Sequence, residues 1–434
     1  MKNTALNVLV IILFSGCGGS SNEAGVGQGI VAQPQSCDIN SQKQFIFDVM
    51  HDTYLWFDQI PSVDISDFDT VTETLNALRA PQDRFSFINS KAANDSFFNE
   101  GTFEGFGFRS VINAERDAYL IAYVFDNSPS GAANWERTDR ITAVNGVSST
   151  QIISGNGLSA ALSGLQVGDT ATFTIGSLNQ EASDQILTKA LVTMNTVLIS
   201  EVVQTQSQTI GYIALSSFIE NTSNEFSDAI DSMNAANINE LVLDLRYNGG
   251  GRVIASRNVA SYIGGDNTKD FDYNKTLHNR KYTSSNSSNA FQDFSNALDI
   301  SRIYVLTTAS TCSASELVMN SLSPFVEVIQ IGGTTCGKPV GMYGKEFCDQ
   351  IILPIEFQSV NHNDEGDYFD GLFADCAAFD DLTHEFADPQ EVMFSTAIFH
   401  MNNSNCPAVN TVQTKRSLTI EIPDNGWLPQ RQVN

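Results

Sequence analysis

Basic residues are scarce in this chain: 23 Lys and Arg stand against 50 Asp and Glu, a formal net charge of −27. Binding to phosphate backbones needs clustered Lys and Arg, so a nucleic-acid role is excluded. No basic run follows Lys2, which removes electrostatic anchoring to an anionic membrane. The apolar stretch Ala5–Phe14 is too short to span a bilayer. Cysteine and histidine never fall into a zinc-site spacing. Histidine is itself sparse: His51, His278, His362, His384 and His400 lie in no recognisable catalytic context, and Gly-x-Ser-x-Gly is absent around Ser313. A Ser–His–Asp mechanism therefore ranks low. Paired-carboxylate and metal mechanisms have no supporting motif, and no cofactor is implied.

What is present reads as a folded globular chain. Hydrophobic residues make up 42% and charged residues 17% of 434 positions, enough for more than one domain and a sizeable core. From Thr209 the pattern is α/β: strands at Ile210–Leu215, Leu241–Leu245 and Ile303–Leu306 alternate with helices. Thr222-x-x-Glu225 caps one helix running to Ala236, and Val253–Ile263 forms another. A mixed sheet with packed helices follows. The polar stretch Gly265–Asn296 reads as a surface excursion.

The chemistry concentrates in three places. Ser313-Ala314-Ser315-Glu316 opens a helix to Leu322, a strand Val326–Ile331 follows, and Lys338 sits on the turn after Gly332-Gly333. Leu241–Arg246 runs into Tyr247-Asn248-Gly249-Gly250-Gly251. A hydroxyl nucleophile, an amine base and available backbone N–H groups are the parts that acyl transfer needs. Ser313 with Glu316 is equally the spacing of a simple capping box, though a helix start also aims N–H groups at a developing oxyanion. Ala314 is the natural first donor, and Gly251, or failing that Gly250, the second. Lys338 can act as a base only if burial lowers its pKa from about 10.4. Asp244, Arg246 and Glu316 read as structural supports.

These motifs resemble those of carboxyl-terminal processing (tail-specific) peptidases of the S41 type. That family carries a Ser-Ala-Ser-Glu-like motif with the first Ser as nucleophile and a Lys 25 residues later, the spacing of Ser313 and Lys338. Its Leu-Arg-x-Asn-x-Gly-Gly turn is matched by Leu245–Gly251. The resemblance implies a ClpP/crotonase-like catalytic core and a Ser–Lys dyad acting on polypeptide C-termini. Many members have Gln four residues after the Lys; this chain has Met342, whose thioether is a weak acceptor. That departure keeps open a rival class, a catalytically weak or inactive peptide-binding protein on the same scaffold.

Around this core the organisation reads in segments. Residues 1–16 resemble a bacterial lipoprotein signal, with Cys17 as the acylated N-terminus and 17–37 as a tether; an ordinary cleaved secretory signal is the alternative. Either implies export, to the periplasm (outer membrane) or the cell surface, with membrane contact only through the Cys17 lipid. Residues 38–99 read as a small helical domain, with Phe45, Ile46, Val49, Met50, Trp56 and Phe57 at helical spacing and a capping box at Thr70/Glu73. Residues 100–190 resemble a PDZ domain. Its Gly105-Phe106-Gly107-Phe108 loop would offer N–H groups to a peptide carboxylate, with the Phe side chains lining an apolar pocket. The catalytic domain spans 191–410 and a tail 411–434. Six cysteines beyond Cys17 favour disulfides in an exported chain. If all six pair, 15 connectivities are open; Cys336–Cys348 and Cys376–Cys406 are preferred among them, and Cys312 reads better as a buried small hydrophobe than as a second nucleophile.

Overall fold

The computed structural model describes residues 31–177 and 180–408; the leader, Cys17, most of the tether and the tail from 411 lie outside the described residues. A six-stranded sheet forms the centre. Strand Val197–Gln204 lies antiparallel to Thr209–Leu215, and Glu240–Asp244, Arg302–Thr307, Glu327–Gly332 and the short Cys376–Ala377 follow in parallel. Side chains alternate across it, as a pleated strand requires. Ile213, Leu215, Leu241 and Leu243 pack under helices Thr222–Ala236, Val253–Gly264 and Ala314–Leu322. Ile210, Tyr212, Ala214 and Val242 meet Phe394 and Ala397 of helix Val392–Asn403 on the opposite face. Burial on both faces explains the near-continuous apolar runs of these strands.

Two local expectations are corrected. Asn221, not Thr222, is the N-cap of helix Thr222–Ala236. Glu225 instead accepts from the N–H groups of Thr196 and Val197, pinning the strand that enters the sheet. The segment Gly265–Asn296 is no mere excursion: Asp272–His278 pairs with Ser287–Ala290 and with Ile355–Val360 in a second sheet that also holds Val340–Met342. Its polarity misled because Asn274 and Thr276 are buried with hydrogen-bond partners.

The inserted unit forms its own five-stranded path, Phe108–Ile112, Tyr119–Val124, Arg140–Val144, Thr170–Gly176 and Ser183–Thr188. A separate core around Phe173, Ile141 and Ile121 fills it. The N-terminal helices Ile39–Asp52 and Val71–Leu78 behave differently. Their apolar faces share one cluster with Cys312, Cys336, Val340, Phe347 and Ile355, and strand Phe87–Ser90 pairs with Gln350–Leu353. Cys37 is bonded to Cys348, which ties this region covalently to the same face. Phe347, fully buried with its ring 5.2 Å from that of Phe45, is the contact to test. Phe347→Ala should cost about 3–5 kcal/mol in guanidinium denaturation. A cost under about 1 kcal/mol would mean that the N-terminal helices do not depend on this core.

Candidate active site

Three adjacent parallel strands end side by side, and the loop after each delivers one part of the site. The carboxyl ends of parallel strands are where α/β folds place ligands. After Glu240–Asp244 comes the glycine turn, after Arg302–Thr307 comes Ser313, and after Glu327–Gly332 comes Lys338.

The glycine turn rests on buried charge. The Arg246 guanidinium, fully enclosed, meets Asp244 at 2.9 Å, Asp380 at 2.9 Å and Glu391 at 2.8 Å. Asp380 also takes Arg137 of the inserted unit at 2.9 Å and the Tyr247 hydroxyl. Burial alone would raise the Asp380 carboxyl, but the two guanidiniums hold it below its usual range. Next along the chain, the Asn248 amide donates to the Leu215 carbonyl at 3.1 Å, while its side-chain oxygen accepts from the Gly250 N–H at 2.9 Å. The Gly250 N–H is thus committed. Among the described residues no hydrogen bond uses the N–H of Gly251 or of Ala314. Both glycines sit at positive φ, 103° and 141°. A Cβ on Gly250 would lie 2.7 Å from the Cys312 carbonyl oxygen and 3.0 Å from the Ala314 nitrogen, so turn and helix start approach as only glycine permits.

Ser313 is the N-cap of helix Ala314–Leu322, but not an ordinary one. Its φ of 58° and ψ of −115° contrast with the extended caps Thr70, Ser90, Ser128 and Ser148 of this chain. A non-glycine residue there is strained, and such strain gathers at functional sites. The Asn248 carbonyl accepts from the Cys312 N–H at 3.1 Å and from the Ser315 hydroxyl at 2.9 Å, which binds the helix start to the glycine turn.

Glu316 joins the two remaining parts. Fully buried, its carboxylate accepts from the N–H groups of Ser313 at 2.8 Å, Gly337 at 2.7 Å and Lys338 at 2.9 Å, and from the Thr335 hydroxyl at 2.5 Å. Burial pushes this carboxyl up from its ordinary value, and the donors oppose that rise. Every one of these partners donates, which suits an anion. A second brace is covalent: Cys312 is bonded to Cys336, not Cys336 to Cys348. Cys376–Cys406 forms as expected. The missed pairing has a simple reason, since Cys312 and Cys336 meet only when two adjacent strand-end loops come together. Cys312, Glu316 and Cys336 are close enough to hold a metal ion. With both sulfurs in a disulfide and the carboxylate occupied by N–H donors, the set offers no thiolate ligands.

Family comparisons now bear on this geometry. A model described as peptidase family S41 matches residues 209–373, and one described as the peptidase S41 N-terminal domain matches 41–87. Over these two segments the chain is similar to peptidase family S41. It is similar to a carboxyl-terminal-processing protease of Synechocystis sp., 24% identical over 61% of this chain and 60% of that protein. A carboxy-terminal processing protease CtpB of Bacillus subtilis is 24% identical over 57% and 49%. The chain thus spans about half to three fifths of these relatives' lengths. In fold it resembles a Bacteroides fragilis protein described as an S41 protease, with a TM-score of 0.68 at 22% identity over 83% of this chain and 97% of that one.

The inserted unit's loop lies away from Ser313 and Lys338 in sequence and packs tightly. The Phe106 carbonyl accepts from Ser130 N–H and hydroxyl, and the Gly107 carbonyl from Phe125 N–H at 2.8 Å. Among the described residues no hydrogen bond uses the N–H of Phe106 or Gly107. Gly105 ends the strand paired with Ala190. Phe106 is buried against Phe173, so it fills the unit's core and does not line an open pocket; Phe108, half-buried, packs on Trp135. Glu316 was read as a support for its helix, and the Ser-x-x-Glu spacing did signal its bond to Ser313. Nothing local signalled its reach to Lys338. Glu316→Gln would turn an amide NH₂ toward backbone donors and should cost about 1–3 kcal/mol in chemical denaturation. Unchanged stability would mean that the carboxylate is not the joint described.

Proposed function

We propose that this chain is an exported serine endopeptidase that cuts polypeptides near their C-termini. The observation that carries the reading is Glu316 accepting from the backbone of both Ser313 and Lys338 beside the uncommitted Gly251 and Ala314 N–H groups. Ser313 Oγ attacks the scissile carbonyl while Lys338 Nζ takes its proton. The new oxyanion is received by Gly251 and Ala314, since Asn248 already occupies the Gly250 N–H. Lys338 then protonates the leaving amine; its own amine, neutral again, takes a proton from the attacking water and returns it to Ser313 Oγ as the acyl group leaves. The names of the relatives support C-terminal processing as the activity. In the same reading Cys17 carries a lipid anchor, and the unit over 100–190 acts as a PDZ-like receptor for substrate tails.

Ser313→Ala and Lys338→Ala should each abolish peptide cleavage and leave the thermal midpoint nearly unchanged. Their losses should not add, because the pair acts as one unit. Turnover retained by Ser313→Ala, measured on a fluorescently labelled unfolded protein, would overturn the assignment.

Substrate docking has its own test in the full-length Ser313→Ala protein. Peptides with a free apolar C-terminus should bind at least about tenfold tighter by calorimetry than the same peptides amidated, a difference of ~1.4 kcal/mol. Equal affinities would reduce the inserted unit to a packed spacer.

A further inference from the structure

The N-terminal region reaches the catalytic lysine. Asp83, buried, accepts from the Tyr54 hydroxyl at 2.8 Å and from the N–H groups of Phe85 and Ser86, each at 2.9 Å. The Ser86 hydroxyl in turn accepts from the Ile355 N–H at 3.0 Å. These bonds hold Asp83–Ser86 in one shape against the second sheet. From that turn the Arg84 guanidinium donates to the carbonyls of Cys336 at 2.9 Å, Gly337 at 3.4 Å and Phe369 at 2.8 Å. The first two are the residues immediately before Lys338. Phe85, also buried, places its ring centroid 5.5 Å from Lys338 Nζ, within the roughly 6 Å over which a ring face attracts an ammonium head. Met342 packs into the same apolar cluster as Phe85.

We infer that Arg84 and Phe85 are positioning residues for Lys338, so that the N-terminal region completes the catalytic site. The inference rests on the hydrolase reading for its consequence, but not for its geometry. Arg84 fixes the backbone of the turn, with its Nη2 donating to carbonyls from two loops. Phe85 fixes the amine. A π face meets an amine from one side, excludes water there and limits the rotamers open to a long flexible chain. The ring gives the lysine head a fixed neighbour. The shared core explains why the arrangement is stable, since the segment carrying both residues packs against Cys312, Cys336 and Val340.

The test uses the full chain and two readouts. The first is the rate at which an alkyl fluorophosphonate modifies Ser313 in the wild type, Phe85→Leu, Phe85→Tyr and Arg84→Met. Phe85→Leu and Arg84→Met should slow modification at least about tenfold with thermal midpoints close to wild type, because small displacements of a catalytic group cost rate steeply. Phe85→Tyr, which keeps the ring, should react within about threefold of wild type. The second readout is the acetylation rate of Lys338 by acetic anhydride, followed by peptide mass spectrometry. It should rise several-fold in Phe85→Leu and stay near wild type in Phe85→Tyr. Wild-type rates for both reactions in Phe85→Leu would overturn the inference. Should wild-type Ser313 fail to react at all, the hydrolase reading falls, and the acetylation rates still decide whether Phe85 holds the amine. A rate loss in Phe85→Leu that merely tracks a lowered midpoint, with no change on folded protein, also counts against it.

Discussion

The Glu316 carboxylate is the joint on which the site depends. A buried anion is costly unless its hydrogen-bonding capacity is met, and here four donors from two loops meet it. Each charge-assisted bond contributes on the order of 1.5–3 kcal/mol, so the carboxylate gains only when both loops are in place. One of those loops carries the strained Ser313 and the other the Lys338 turn. The same interaction that satisfies a buried charge therefore fixes the backbone of Ser313 relative to that of Lys338. The Cys312–Cys336 bond repeats the connection covalently, one residue before Ser313 and two before Lys338. Glu316 sits inside the fold while the groups it aligns are half-buried at the edge, as a supporting side chain should.

Around this joint the structure is organised by where strands stop. The glycine turn, Ser313 and Lys338 all follow neighbouring strands of one sheet, so small errors in strand register would separate them. Buried ion pairs guard that register. Arg246 closes the end of its strand with Asp244, Asp380 and Glu391, and Arg137 extends the cluster into the inserted unit. Breaking such a cluster leaves unpaired buried charge, which costs far more than a surface ion pair contributes. The inserted unit is thereby bonded to the chain segment immediately preceding the glycine turn.

Much of this was legible in the residues themselves. Apolar runs and cap residues placed the strands Leu241–Leu245 and Ile303–Leu306 and the helices to Ala236 and Leu322 within a residue or two of where they lie. Ser313, Lys338 and the glycine turn could be named because each is a local motif. What stayed hidden is non-local. The partner of Cys312, the reach of Glu316 to Lys338 and the arrival of Arg84 and Phe85 all depend on loops brought together by the sheet. The strand Asp272–His278 was missed for a different reason: its buried residues are polar, and hydrophobic periodicity cannot see a hydrogen-bonded Asn274. Phe106 was misplaced because an aromatic in a Gly-x-Gly loop can face either the ligand or the core.

In the proposed mechanism the Glu316 bracket holds Ser313 and Lys338 in reacting order against the Gly251 and Ala314 donors. A crystal structure of the fluorophosphonate adduct tests it most directly. The phosphonyl oxygen should be received by the N–H groups of Gly251 and Ala314 at about 2.7–3.1 Å. Lys338 Nζ should lie within hydrogen-bond reach of the modified Ser313 oxygen, and Glu316 should still accept from both backbones. An oxygen bound elsewhere, or an adduct in which Lys338 turns away while the Glu316 bonds persist, would contradict the account.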